Sequence, residues 1–221
     1  MNVVLDIVTY ALRGSGKYIL LFGAVLSVVR DLVSFAPLIG WIAALFLVGY
    51  FCAIYFEIIQ TTATGGREAP AFPETSNIFS DLFWPMMQVI VVLLASFAPW
   101  LAYSILVDED ALNPLVVFGL LGLGVVYFPM AMLAVVVLGY MGAMSPHIVL
   151  PAIFRGGLLY WLSVFLLCLL YMAEVFIAAL LSGHFIIGSL IMAAVGMYTL
   201  MTNGRILGIV YREREEELGW I

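Results

Sequence analysis

Charged residues are scarce in this chain, and cations are the scarcest. Asp, Glu, Lys and Arg make up 10% of the 221 residues, whereas about 25% is typical of a soluble domain. Only 8 residues are Lys or Arg, and the formal net charge is -6. Nucleic-acid binding requires clustered cations that replace the counterions of the phosphates. The composition therefore argues against a nucleic-acid-binding protein.

Cysteine and histidine are also rare, with two residues of each. Cys52 and Cys168 both lie within apolar segments, so we expect no disulfide. His147 and His184 lie at opposite ends of predicted membrane helices and cannot share a metal ion. No Ser-His-Asp arrangement, HExxH, P-loop or CxxC motif is found in the sequence. We therefore expect a non-enzymatic protein that needs no metal and no other cofactor.

Apolar residues, in contrast, dominate the chain. They make up 65% of it, and the mean hydropathy is +1.18. A helix needs about 20 apolar residues to cross the hydrocarbon of a bilayer. Segments of this kind lie at about residues 17–36, 37–60, 82–106, 114–140, 158–181 and 185–203. The sequence thus predicts an all-α, polytopic transmembrane bundle of about six spans, formed by residues 17–204.

The distribution of the few cations predicts the orientation of the bundle. Lys and Arg are retained on the cytoplasmic side during insertion. With the N-terminus inside, only Arg30 lies outside; seven cations lie inside, namely Arg13, Lys17, Arg67, Arg155, Arg205, Arg212 and Arg214. We therefore expect both termini to be cytoplasmic.

Two features of the N-terminal region are open. Residues 1–16 suit a helix at the headgroup boundary, because apolar side chains cover much of the helix and Asp6 lies on another face. A disordered tail is an equally good interpretation. The first span is interrupted by Arg30 and Asp31, so its helix could end near Val29.

Ionisable residues within the spans are the main candidates for function. Glu57 and Glu174 are acids inside predicted helices, and such residues are expensive to insert and are often functional. Glu174 and Arg30 both lie toward the outer leaflet, so a structural ion pair between the first and fifth spans is our preferred interpretation. Glu57 lies close enough to the cytoplasmic end for its carboxylate to reach the headgroups.

The cytoplasmic loops and tail are the candidate contact surface for a protein partner. Residues 205–221 form a charged tail, in which arginines and glutamates are followed by an aromatic residue. We interpret this tail as an extension of the sixth helix into the cytoplasm that returns the aromatic residue to the interface or to a partner. Charge runs are usually solvated, so a partner-binding role is the minority interpretation. The candidate contacts are Arg67, Arg155, Arg212, Arg214 and Trp220.

Three segments carry a resemblance to a known family. They are GYFCAIYFEIIQTTATGGREAPAFPE, YFPMAMLAVVVLGYMGAMSPHIVLPAI and RILGIVYREREEELGW. Together, over residues 49–220, they resemble a family of bacterial polytopic membrane proteins classified as a domain of unknown function. The resemblance implies a multi-pass protein of the bacterial inner (cytoplasmic) membrane and supplies no catalytic residues. Its members often carry a cytoplasmic module, which these residues do not contain, so a signalling role is not expected.

Two functions follow as hypotheses. The first is a non-enzymatic scaffold or accessory subunit of a membrane complex, in contact with the lipid bilayer, other membrane subunits or a second copy of itself. The second is a small transporter or channel that uses Glu174 or Glu57. A water-accessible polar cavity that reaches Glu174 would favour the second, and a tightly packed bundle with an exposed docking site would favour the first.

Overall fold

The computed structural model describes residues 3–33, 39–70, 72, 77–183 and 185–220, with all of their side chains except those of residues 3–5, 30–33, 39, 185 and 186. Every regular element in these ranges is a helix. The α-helices are α1 (Val3–Thr9), α2 (Gly16–Val33), α3 (Ile39–Ala63), α4 (Trp84–Leu106), α5 (Pro114–Leu138), α6 (Pro146–Arg155), α7 (Gly157–Leu181) and α8 (Phe185–Leu218). The predicted all-α bundle is confirmed.

Five of these helices are long and apolar enough to cross a membrane: α3, α4, α5, α7 and α8. A sixth candidate span consists of Asp6–Leu12 and Gly16–Val29, which are bent by 65° relative to each other. The chain is therefore a multi-pass helical membrane protein with five or six spans. This number agrees with the prediction of about six.

Local sequence explains where the long helices begin and end. Asn113 caps α5 by accepting a hydrogen bond from the backbone N of Leu115 at 3.0 Å, and Pro114 fills the first turn, where no donor is needed. Gly139 ends the same helix in the left-handed conformation, with φ 77°. Pro85 lies in the first turn of α4.

Two elements lie outside the six predicted spans. Helix α8 continues past residue 203 through the charged segment to Leu218, as predicted for the sixth helix, with an irregular residue at Arg214 (φ -129°, ψ 16°). A short additional helix, α6, lies between α5 and α7 and follows a 3-10 turn at Met141–Met144. Helix α6 is too short to span a bilayer, so a search for long apolar segments does not find it.

Helix α8 is the centre of the bundle. It packs against α2, α3 and α7 along its length and contacts α1, α5 and α6 near one end. The core is concentrated at that end, where residues 130–136 of α5 and 201–211 of α8 are buried. Toward the opposite end, apolar side chains such as Leu115 and Phe176 are exposed. Buried residues are thus concentrated at one end of the bundle, and exposed apolar side chains are more frequent toward the other.

The packed end carries most of the cations. The Ser15 hydroxyl donates to the carbonyl of Ala69 at 2.5 Å, and Arg155 donates to the carbonyl of Leu218 at 3.3 Å. These contacts place the N-terminal region, the α3–α4 connection, α6 and the C-terminal tail at the same end, as the cation distribution predicts. We name it the inner end, because Lys and Arg accumulate on the cytoplasmic side. The other end is the outer end.

The glycines of α5 differ from one another in their surroundings. A Cβ at Gly124 would collide with the ring of Phe97 on α4, so this glycine is required for the α4–α5 contact. A Cβ at Gly119 or Gly122 would meet nothing within 4 Å. These two positions lie in the outer half of α5.

Candidate functional site

A chain of hydrogen bonds joins three helices within the membrane region. The hydroxyl of Tyr55 on α3 donates to Oδ1 of Asn203 on α8 at 2.7 Å. The amide Nδ2 of Asn203 donates to the hydroxyl of Tyr171 on α7 at 2.9 Å. Polar groups inside a bilayer must find partners within the protein, and here each hydrogen bond joins two helices. This Tyr55–Asn203–Tyr171 chain fixes α3, α7 and α8 relative to one another.

Glu174 lies about one helical turn beyond Tyr171 on α7, toward the outer end. Its side chain is half-buried, and it makes no hydrogen bond or ion pair with any residue that the structure describes. Gly196 faces it from α8, where a Cβ would lie 3.7 Å from Glu174 Oε1. The small residue leaves free space beside the carboxylate.

That free space belongs to two neighbouring cavities. The first has a volume of about 390 Å³ and lies between α2, α3, α7 and α8, with Ser27 and Ser189 among its polar lining residues. The second has a volume of about 340 Å³ and reaches the Tyr55–Asn203–Tyr171 chain. Four residues line both cavities: Phe51, Glu174, Gly196 and Leu200. The Glu174 carboxylate therefore lies at their boundary.

A third, larger cavity lies on the other side of the hydrogen-bonded chain, between α4, α5 and α7. Its volume is about 600 Å³, and its lining is almost entirely apolar. Phe128, Tyr171 and Asn203 line both this cavity and the second one, so they form the wall between the two. Polar and apolar spaces thus adjoin near the middle of the bundle.

A buried arginine lies at the inner end of the bundle. Only 2% of the Arg205 side chain is exposed, and its Nη2 pairs with Oδ2 of Asp6 at 2.8 Å. Arg205 also donates from Nη1 to the carbonyl of Gly66 at 2.5 Å and to the Thr62 hydroxyl at 3.3 Å. The Tyr10 ring lies against the guanidinium, with the Arg205 Cζ 4.7 Å from the ring centroid. We name these five residues the Arg205 cluster.

The Arg205 cluster defines the position of the N-terminal region. Tyr10 and Ala11 are buried, and Asp6 contacts α8 directly. The cluster thus ties Asp6 and Tyr10 to α8 and to the end of α3. The described part of the N-terminal region is therefore docked onto the bundle and is not a free tail.

The predicted intramembrane residues have different surroundings. Glu174 lines two cavities, as described above. Glu57 is exposed on α3 and lines none of the three cavities. The side chain of Arg30 lies outside the described residues, and so does the expected Glu174–Arg30 ion pair.

The predicted partner contacts on the inner side are mostly engaged within the chain. Arg212 pairs with Glu213 and Arg214 with Glu217, each at 2.9 Å, and Trp220 stacks on Tyr211 with ring centroids 6.0 Å apart. Arg155 holds the end of the tail through Leu218, as noted above. Arg67 is exposed in the α3–α4 connection.

Sequence reasoning did not identify Tyr55, Asn203, Arg205 or Asp6 as members of a site. Their partners are far apart in sequence, by 148 residues for Tyr55 and Asn203 and by 199 for Asp6 and Arg205. One signal was available: TNGR at residues 202–205 is a polar run within an otherwise apolar helix. Among the residues that the structure describes, no group of three His, Cys, Asp or Glu could hold a metal ion.

The fold and the site together define a class: a multi-pass helical membrane protein with a carboxylate at the boundary of two intramembrane cavities. Comparison with family models, curated proteins and solved structures gives no match. The resemblance to a bacterial membrane-protein family therefore stays a prediction.

Proposed function

We propose that this chain is a non-enzymatic transporter or channel for a cation, which binds at Glu174 within the outer half of the bundle. The observation that carries the proposal is the position of Glu174 at the boundary of two cavities, without a hydrogen bond or ion pair to the described residues. A cavity with polar lining residues at Glu174 favours transport over a scaffold.

An ionised carboxylate inside a bilayer is energetically unfavourable unless other groups stabilise it. Placing an ionised Asp or Glu in the bilayer is unfavourable by about 2.5 to 3.5 kcal/mol on insertion scales. A residue used only for helix packing would recover this cost through hydrogen bonds to neighbouring helices. Glu174 instead faces open space with polar side chains nearby, which suits water and an exchangeable cation.

The direction of access follows from the packing. Buried residues of α5 and α8 are concentrated in the inner half, whereas Glu174 lies in the outer half, which supports access from the outer end. Transport then requires rearrangement of the inner half. Pro129 lies in α5 beside the third cavity, and a proline inside a helix weakens the backbone hydrogen bonding that resists bending.

Charge movement through reconstituted protein tests this proposal. Proteoliposomes on a solid-supported membrane would receive concentration jumps of sodium, potassium, tetramethylammonium and tetraphenylphosphonium. We expect a transient current for at least one of these cations, and Glu174→Gln should remove it because the neutral amide cannot compensate the charge.

Glu57→Gln is the matched control, since it makes the same chemical change at an exposed position on α3. It should leave the current unchanged. A current that survives in Glu174→Gln, or the absence of current with every cation in protein that is correctly folded, would refute the proposal.

An accessory role in a bacterial inner-membrane complex is the second proposal. It is supported by the exposed Arg67 and Arg155 on the inner face, where a partner could bind. The docked tail gives it less support, since Arg212, Arg214 and Trp220 already have partners within the chain. Gentle purification from native membranes should then yield a stoichiometric partner that Arg67→Glu releases.

A further inference from the structure

We infer that the ligand of this site is an amphipathic monocation: an amine or quaternary ammonium group joined to a bulky apolar group. This inference rests on the proposed function and specifies its substrate class. It derives from the arrangement of the three cavities around the Tyr55–Asn203–Tyr171 chain. The cationic group would lie beside Glu174, and the apolar group would occupy the third cavity.

The charge of the ligand follows from the charged residues around the cavities. Glu174 is the one acid among the described residues that line the three cavities, and no Lys or Arg is found among those lining residues. A single carboxylate in a region of low dielectric constant favours one positive charge. A second positive charge would have no partner there.

The apolar part of the ligand follows from the third cavity. Apart from Tyr171 and Asn203, aliphatic, aromatic and sulfur-containing side chains line its volume of about 600 Å³. Binding pockets for drug-sized molecules have volumes of about 300 to 1,000 Å³ and predominantly apolar walls. The cavity is therefore large enough for a branched or aromatic group, which a small inorganic cation would leave unused.

The connection between the two regions follows from their shared residues. Phe128, Tyr171 and Asn203 separate the apolar cavity from the one that Glu174 lines. Rotation of the Tyr171 side chain, which would break its hydrogen bond with Asn203, would join the two spaces. The rings of Phe128 and Tyr171 also offer faces that attract a quaternary cation.

The route of entry is compatible with such a ligand. Leu93 and Met172 line the third cavity and are exposed on the outside of the bundle, 46% and 70% respectively. The cavity therefore extends to the surface that faces lipid. Amphipathic cations concentrate at the interface of a bilayer, so the ligand would enter laterally from the membrane.

Binding of two probe cations to the purified protein in lipid nanodiscs tests this inference. Tetraphenylphosphonium carries its charge within a large apolar group, whereas tetramethylammonium carries the same charge without one. We expect tetraphenylphosphonium to bind at least about tenfold more tightly, because it buries more apolar surface. Glu174→Gln should weaken the binding of both probes, and empty nanodiscs correct for partition into lipid.

Filling the third cavity separates the substrate class from the proposed function. Val125→Trp places a large ring in the cavity from α5, and Leu93→Trp does so from α4. Each should weaken tetraphenylphosphonium binding by about tenfold and leave tetramethylammonium binding unchanged. Leu123→Trp is the control, since Leu123 is exposed on α5 and does not line the cavity.

The outcomes distinguish the two levels of the proposal. Equal affinities for the two probes, or tetraphenylphosphonium binding that neither cavity-filling variant weakens, would overturn the substrate class. The proposed function would survive that result if small cations still produce a current that depends on Glu174. Binding of both probes that is unaffected by Glu174→Gln would overturn the proposed function as well.

Discussion

Arg205 is the most deeply buried charge that the structure describes, and its environment determines its energetic role. Transfer of a guanidinium away from water is costly unless a counter-ion and hydrogen-bond acceptors replace the water. Asp6 supplies the opposite charge, and Gly66 and Thr62 supply acceptors. The guanidinium Nε is buried without a hydrogen-bond partner in the described part of the chain. The Arg205 cluster therefore depends strongly on Asp6.

Removal of Asp6 should destabilise the protein. Asp6→Asn leaves the Arg205 charge without its counter-ion, and breaking a buried pair in this way costs about 3 to 5 kcal/mol. We expect a clear fall in the Tm, measured by thermal unfolding in detergent. Arg212→Gln removes a partly exposed ion pair with Glu213 and should change the stability by less than about 1 kcal/mol.

A double variant tests whether the loss comes from the unpaired charge. Asp6→Leu combined with Arg205→Met replaces the pair by apolar side chains and should be more stable than Asp6→Asn, because no buried charge is left. A double variant that unfolds at a lower temperature than Asp6→Asn would contradict this explanation.

Among the individual residues of the site, the sequence predicted Glu174 but not its neighbours. Glu174 could be identified because an acid within a long apolar segment is unusual in itself. Asn203 and Arg205 could not, because their importance depends on Tyr55, Tyr171 and Asp6, which are distant in sequence. Cavities have no local signal in the sequence, so the space around Glu174 could not be anticipated.

At the scale of elements, the contact between α3 and α8 depends on two glycines. A Cβ at Gly204 would lie 2.9 Å from Cγ2 of Ile58, and one at Gly208 would lie 2.9 Å from the carbonyl oxygen of Ile59. The second of these contacts involves backbone, which cannot move aside as a side chain can. Small residues of this kind allow membrane helices to approach closely.

Gly208→Ala should therefore separate α3 from α8. We expect destabilisation of about 1 to 3 kcal/mol, which is typical of overpacking, seen as a lower Tm in detergent. Gly119→Ala is the matched control because a Cβ there meets nothing within 4 Å. It should be neutral or slightly stabilising, since Ala favours a helix over Gly by up to about 1 kcal/mol. Equal effects of the two substitutions would contradict the proposed close contact.

The long helices were predictable because the thickness of a bilayer sets their length. The predicted spans at 114–140 and 158–181 correspond to Pro114–Leu138 and Gly157–Leu181. The extension of α8 beyond the membrane was predictable because the charged segment after residue 204 follows the last span directly, and the helix continues through it to Leu218. The short helix α6 was not predicted, because its ten residues form no membrane-length segment.

At the scale of the whole molecule, the two halves of the bundle differ in packing. Residues such as Ala134 in the inner half are completely buried, whereas Glu174 and Gly196 in the outer half border the cavities. We propose that water enters the outer half from the outer side. The clustering of the cation-bearing segments at one end was predictable from the sequence, but this difference in packing was not, because both halves are equally apolar in sequence.

Cysteine labelling measures this difference. In a background of Cys52→Ser and Cys168→Ser, a membrane-impermeant maleimide added outside intact cells should modify Gly196→Cys. Ala134→Cys should stay unmodified from either side, because its side chain has no access to solvent. Modification of Gly196→Cys only from the inner side would reverse the direction of access that we propose.

The contact between Asp6 and Arg205 also has a consequence for biosynthesis. The two residues are 199 positions apart, so Asp6 leaves the ribosome long before its partner is made. The N-terminal region can take its final place only after α8 has been inserted. Completion of the last helix is thus the step that allows the N-terminal region to dock onto α8. Chains that stop before residue 205 should keep the N-terminal region accessible to proteases.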